Sequence, residues 1–441
     1  MNKIGLLDQY TGSNLGDAAI QEAVIENIRK RKSEAGIFLF TLYPEETQRL
    51  HNLMSYPVPG FRLTWYSDCS GSENADNITS RVEESVRYRK LIHVLKKIPL
   101  VFPVLKMLKA IFRSLINVLS KLYGELIHIR NSYRILKGFD LLIVSGGGQL
   151  DDDFGGPWGH PYALFKWALL AKATRTRFIF LSVGACSIRY KLSRFFIKHA
   201  LQLASYRSYR DEGTKSLVKD YSFSKEDPVV PDLAFSFSLN GKLSEEHTMK
   251  NAGRTTVGIS PIAYLSNFWP RTDLKIYEKY KHELAVFTNE LIKKGYLIAF
   301  FSSDNMDSFV TDEIIDILKD KIRDERCNSI VKLPIVTLTD LLHELPGVDY
   351  VVASRLHGIL LSHLFEKPVL AISYDRKVDA HMTAMGQMHY SADIHGFTSD
   401  ELMVKFSALQ ENNAVIRNQI ENRKNAFKER LALQYDHILS V

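Results

Sequence analysis

Short apolar runs, most of them followed by a stretch of helical spacing, recur through nearly all of this chain. Such alternation of strand and helix leaves few folds open, because parallel strands need crossover connections and those are usually helices. Strands are predicted over 3–7, 37–42, 141–145, 178–183, 206–209, 257–260, 297–302, 330–333, 350–353 and 369–373. Helical spacing follows over 17–28, 162–173, 192–203, 211–219, 274–293, 309–318, 338–344, 358–365 and 378–385, and the chain ends in helical sequence over 399–439. At 441 residues the chain is too long for one ordinary core. The polar stretch 240–256 reads as a linker. The fold class expected is α/β, with two Rossmann-like domains facing a cleft. The first covers 1–245, and the second covers 246–441.

The alternation breaks at about 57–137. Residues 67–80 read as a loop. Residues 81–137 are basic and apolar, with few acids, and read as an insertion of amphipathic helices broken at Pro99 and Pro103. Basic side chains beside Leu, Ile and Phe suit an anionic membrane surface; a helical subdomain or dimer interface with a solvated basic face is the plainer alternative.

Composition narrows the function classes. A hydrophobic content of 45% with 24% charged residues belongs to a folded globular chain. The net charge of +7 points to anionic partners. None of the common nucleic-acid recognition motifs is evident, so nucleic acid is not expected. Cys69, Cys186 and Cys327 are scattered and form no CxxC pair, so neither a zinc site nor a disulfide framework is expected. The start of the chain does not resemble a signal peptide, and no apolar run approaches the ~20 residues that cross a bilayer. A cytoplasmic location, with peripheral attachment to the inner face of the membrane, is the expectation.

Four constellations fall at strand-to-helix joins, where open α/β sheets bind ligands. The first is Gly12-Ser13-Asn14-Leu15-Gly16-Asp17, a turn that can cradle a ligand or simply cap a helix. The second is Gly146-Gly147-Gly148, whose free backbone can face a ligand. Asp151-Asp152-Asp153 follow it. Neighbouring aspartates cannot all face one metal ion without an unusual turn, so a solvated loop or an Asp152 bound to a sugar hydroxyl is the better reading. The third is Arg210, able either to clamp an anion or to pair with Asp211 or Asp232. The fourth is Ser354-Arg355-Leu356-His357-Gly358, which joins a permanent cation to a proton carrier. A helix-capping Ser354 with a structural histidine is its plain alternative. Lys377 ends the next strand as an additional cation.

The order Asn14-Leu15-Gly16-Asp17, Gly146–Gly148, Tyr209-Arg210-Asp211, Pro231-Asp232, Ser354–Gly358, then Tyr374 with Lys377, resembles the polysaccharide pyruvyl transferase family. The resemblance covers nearly all of the chain apart from 57–137. It implies a glycosyltransferase-B-like fold, with the acceptor side in 1–245 and the donor side in 246–441. It also implies transfer of pyruvate from phosphoenolpyruvate to sugar hydroxyls, usually as a cyclic ketal, on a bacterial surface glycan or its lipid-linked precursor. His357 would be the acid, with Arg210 and Arg355 holding the donor. The chemistry of the residues agrees. A donor with a carboxylate and a phosphate calls for several cations, which Arg210, Arg355 and Lys377 can supply, with Ser354 and Gly358 beside them. No metal or cofactor is needed by such a scheme. Asp17, Asp152 and Asp153 are the candidate bases. The basic insertion and the acidic cluster after the glycines depart from the family pattern and bear on the acceptor. A nucleotide-sugar glycosyltransferase of the same architecture is the enzymatic alternative. A membrane-associated assembly protein without catalysis is the other.

Overall fold

The computed structural model describes residues 2–8, 14–59, 101–153, 155–220, 226–239, 253–269, 271–319 and 329–440. The expectations for Gly12 and Ser13, the 67–80 loop, residues 81–100 with Pro99, Cys69, Cys327 and most of the 240–256 linker lie outside the described residues.

Two six-stranded parallel sheets form the frame. The first is ordered β3-β2-β1-β4-β5-β6, and the second β12-β11-β10-β7-β8-β9. Its strands are β1 (Lys3–Leu7), β2 (Gly36–Thr41), β3 (Ser55–Pro57), β4 (Leu141–Ser145), β5 (Arg177–Val183) and β6 (Tyr206–Tyr209). Those of the second are β7 (Thr256–Ser260), β8 (Leu297–Phe300), β9 (Ile330–Lys332), β10 (Tyr350–Ala353), β11 (Val369–Ser373) and β12 (Ser391–Asp393). Counted within its own half, each sheet runs in the same order, with its first and fourth strands adjacent. The strand order reverses at β1/β4 in one sheet and at β7/β10 in the other, and these reversals are the crevices where such sheets receive ligands. Central strands such as Leu141–Ser145 and Tyr350–Ala353 are buried throughout, as a parallel sheet covered on both faces requires. The short edge strands β3 and β12 were not anticipated, because Ser55–Pro57 and Ser391–Asp393 hold no apolar run.

The chain's last helix, Asn413–Leu439, crosses back to the first sheet. Its Gln434 side chain donates to the Ser182 hydroxyl at 3.1 Å, and Arg177 donates to the Ile438 carbonyl at 2.8 Å. Asp436 pairs with Arg31 at 2.6 Å.

Residues 58–137 form a compact unit distinct from the rest of the chain. Its described residues include the helix Val101–Leu136, which corrects the expected break at Pro103. Pro103 is the third residue of that helix, and in a first turn the missing N–H has no intrahelical partner to lose. Among the described residues no helix is long and apolar enough to cross a membrane.

Candidate active site

The first reversal contributes backbone. Asn14 caps the helix Leu15–Arg31, its side-chain oxygen accepting from the amides of Gly16 at 2.9 Å and Asp17 at 3.3 Å. That helix start is stitched to the second sheet: Leu15 N–H donates to the Ser303 carbonyl at 3.0 Å, and Asn14 bridges Asp304. A Cβ on Gly16 would lie 1.9 Å from Cγ and Nδ1 of His357. Glycine there is what lets the imidazole of the fourth motif lie against the backbone of the first. After β4, Gly146 and Gly147 take positive φ, 49° and 65°. Gly148 ends that turn, and a Cβ on Gly147 would stand 3.5 Å from the Asp17 carboxylate.

Arg210 lies across the glycine after β5. A Cβ on Gly184 would meet its Nη2 at 2.6 Å. Sequence reasoning missed Gly184, although a glycine directly after the apolar run 178–183 is the available signal. The guanidinium pairs with Asp232 at 3.2 Å and more loosely with Asp211 at 3.7 Å. Asp232 also accepts from the Ala234 amide at 3.0 Å.

His357 brings the two sheets' motifs together. Its Nε2 stands 3.9 Å from the Asp232 carboxylate and has no hydrogen-bond partner. Burial, with help from Arg210, Lys377 and Arg355, pushes its pKa down to about 4, against the pull of Asp232. Asp17 responds the other way. Burial, then Asp304 and Asp232, push it up to about 7, while Lys377 and Arg210 oppose. Lys377 is held charged: burial works against its charge, but Tyr374, Cys186 and Asp375 outweigh it. Its ammonium sits 5.1 Å from the centre of the Tyr374 ring. Arg210, Lys377, His357, Asp232 and Asp17 therefore make one electrostatic cluster at the meeting of the two sheets.

Arg355 is placed differently. Its Nε and Nη2 grip Asp307 at 2.6 and 3.0 Å, and Nη2 reaches Asp304 at 3.3 Å. The guanidinium also stacks 5.4 Å over Trp269. Ser354 is buried, its hydroxyl 3.2 Å from that of Tyr280. It does not cap the helix Leu356–Leu364; Arg355 occupies the N-cap position without a side-chain bond. Gly358 leaves room for Ser303 and Ser260, whose hydroxyls would be 3.2 and 3.5 Å from a Cβ there. Both hydroxyls are buried without a partner.

The three aspartates after the glycines divide. Asp152 accepts from the amides of Arg189 and Tyr190 at 3.1 and 3.0 Å, holding the approach to the helix Lys191–Leu203. Asp153 pairs with the Arg189 guanidinium. Asp151 is buried, with one carboxylate oxygen unpartnered, and burial followed by Asp153 pushes it up to about 7. Cys186, pushed up to about 11 by burial, is within electrostatic reach of both Asp151 and Lys377. Among the described residues no group of three His, Cys, Asp or Glu side chains could hold a metal ion.

A cavity of about 340 Å³ opens beside the cluster, lined by Arg210, Asp232, Leu360, Lys377, His381 and Arg430. His381 was passed over from sequence. It lies one helical turn after Lys377 on the helix Arg376–Ala384, and its Nε2 is 3.0 Å from Nδ1 of the buried His363. Burial pushes His381 down to about 4.

Two Rossmann-like sheets that join their switch points around a charged cleft define a protein of the glycosyltransferase-B-like class. Solved structures of that architecture superpose over almost the whole chain. A UDP-GlcNAc 2-epimerase from Neisseria meningitidis bound to UDP-GlcNAc matches with a TM-score of 0.55 at 12% identity, covering 100% of both chains. A glycosyltransferase from Rickettsia africae gives 0.56 at 9% identity over 99% of this chain and 98% of its own. A UDP-GlcNAc 2-epimerase from Methanocaldococcus jannaschii gives 0.55 at 10% identity over 92% of each. At such identities the likeness establishes the fold alone. The sequence decides further: residues 14–376 match the polysaccharide pyruvyl transferase family, and the chain belongs to that family.

Proposed function

We propose that the protein transfers pyruvate from phosphoenolpyruvate to hydroxyls of a sugar, in a bacterial surface polysaccharide or its lipid-linked precursor, and closes a pyruvate ketal. The observation that carries this reading is His357, unpartnered at Nε2 and set among Arg210 and Lys377 where the two sheets' motifs meet. Arg210 and Lys377 answer the donor's carboxylate and phosphate. In the ligand-free protein those cations help to keep His357 neutral. A bound trianion offsets them, raises the imidazole pKa and lets His357 carry a proton to C3 of the enol. C2 becomes electrophilic, a sugar hydroxyl adds there, and the phosphate leaves. A second hydroxyl of the same sugar then closes the ketal. One hydroxyl proton balances the one given to C3, and the other departs with the phosphate. Asp17, poised near neutrality, is the group suited to receive a hydroxyl proton, since Asp152 and Asp153 are committed to residues 189–190. Arg355 acts through Asp304 and Asp307 rather than on the donor directly. The scheme calls for no metal or other cofactor. A donor made in the cell interior puts the enzyme there.

Thermal unfolding with phosphoenolpyruvate and with a panel of nucleotide sugars tests the donor. Ligand at 100 times its dissociation constant adds about 2.7 kcal/mol. Stabilisation by phosphoenolpyruvate, lost in Arg210→Ala, is the expected result. A second reading, a nucleotide-sugar glycosyltransferase, draws on the similar Neisseria enzyme having been solved with UDP-GlcNAc. Stabilisation by a nucleotide sugar alone would replace the pyruvyl reading with that one.

A further inference from the structure

The helix Val101–Leu136 carries a long exposed apolar stripe. Phe112, Leu115, Leu119, Leu122 and Leu126 recur every three or four residues, which at about 100° per residue keeps them on one face. All are exposed, Phe112 by 63%, Leu119 by 55% and Leu126 by 64%. Exposed Ile116, Val118, Tyr123 and Ile127 widen the stripe to roughly half of the circumference. Residues 112–123 are exposed on every side, and from 124 onward the covered positions mix polar Glu125, His128 and Ser132 with Ile129, Ile135 and Leu136. An apolar patch as continuous as the 112–126 stripe marks a docking face.

Charge decides the occupant. The helix sequence holds Lys106, Lys109, Arg113, Lys121, Arg130 and Arg134 against one acid, Glu125. Arg113, Lys121, Arg130 and Arg134 are exposed, while Glu125 is buried. Arg113 and Lys121 flank the polar side, and Arg130 and Arg134 stand where the leucine run stops. A second copy of the helix would set these cations against each other with no exposed acid to answer them. Anionic headgroups answer all of them, and the breadth of the stripe suits a helix lying in the plane of the interface more than the narrow seam of a two-stranded coil.

We propose that the Val101–Leu136 helix docks the protein on an anionic lipid surface, its leucine stripe entering the acyl boundary and its arginines and lysines meeting the headgroups. The inference is independent of the donor reading, and a lipid-linked acceptor would give it a use.

Co-sedimentation of the whole protein with vesicles of phosphatidylglycerol and phosphatidylcholine, against phosphatidylcholine alone, tests it. Binding to the anionic vesicles is expected, with at least a tenfold loss on the neutral ones. Leu119→Glu/Leu122→Glu should abolish it. Arg113→Gln/Lys121→Gln should weaken it about thirtyfold, at about fivefold per cation removed. The second pair is exposed and polar on both sides of the change, so it keeps the test open if the first variant fails to fold. Absence of binding to anionic vesicles, equal binding to neutral ones, or unchanged binding in a folded leucine variant would each overturn the proposal. A dimer in analytical ultracentrifugation that the leucine variant splits, with no vesicle binding by the wild type, would assign the stripe to a second copy instead.

Discussion

Arg210 and Arg355 both follow a strand at the carboxyl edge of a parallel sheet, and in sequence they look like one pair of hands for one anion. The fold gives them different work. Arg210 shares its Asp232 with His357, borders the Lys377 cavity and pulls on Asp17. Arg355 is locked by two carboxylates and an indole. The difference teaches that an arginine at a switch point is defined by the acids around it. Arg210 has one acid within hydrogen-bonding distance, shared with a histidine, and a second, Asp211, only at 3.7 Å, which leaves room for a ligand's charge. Arg355 holds Asp307 at two points, reaches Asp304 at 3.3 Å and stacks on a ring, which makes a brace.

The strongest test of the Arg210 side is His357→Ala. Loss of a positioned proton donor should reduce turnover by about 10²–10⁴-fold with thermal unfolding unchanged, read by phosphate release from phosphoenolpyruvate. Turnover at the wild-type rate would take the histidine out of the chemistry and the distinction with it.

Arg355→Ala probes the brace. It strands the nearly inaccessible Asp307 carboxylate, and breaking such a pair costs about 3–5 kcal/mol, measurable by denaturant unfolding. Arg210→Ala should instead show its main loss in donor affinity. A stable Arg355→Ala that no longer binds phosphoenolpyruvate would reverse the two roles.

Gly16→Ala drives a methyl to within 1.9 Å of the imidazole. Displacing His357 should cost about 1–3 kcal/mol and lower turnover while leaving donor affinity nearly intact. A wild-type rate in this variant would mean that the imidazole position is not critical.

The smallest effect sharpens the electrostatics around Arg210. Asp17 is raised from 3.8 to about 7. The folded protein thus retains a proton that the unfolded chain releases, and the resulting stability is lost as pH rises through about 7. Asn cannot ionise. Asp17→Asn should therefore gain on the wild type between pH 5 and 8 in thermal unfolding, and a constant difference would mean that Asp17 is not held protonated. His357 has the opposite sign: lowered to about 4, it contributes stability that is lost as pH falls from about 6.5 through 4.

Much of the frame was legible. Lys3–Leu7, Leu141–Ser145, Tyr350–Ala353 and Val369–Ser373 stand in the structure as the strands their apolar runs predict, because strands buried on both faces are largely apolar. The site was legible in part. Asn14, Gly16, Asp17, Gly146–Gly148, Arg210, His357 and Lys377 sit around one cleft, whereas Ser354 is sealed under Tyr280 and Asp152 under residues 189–190. Gly184 went unseen, since a lone glycine carries no periodic signal, and His381 was set aside because it does not stand at a strand-to-helix join.

By itself the sequence determined the alternation of strands and helices, the parallel sheets, the family and the residues able to hold charge or move a proton. Those follow from local spacing and residue chemistry, which need no partner. Only the tertiary structure decided which acid each arginine meets, that Gly16 lies against His357, that the last helix returns to the first sheet, and that Leu115, Leu119, Leu122 and Leu126 are exposed. Each of these depends on groups far apart in the chain sharing a buried space, where dielectric, distance and available partners set the charge a side chain carries.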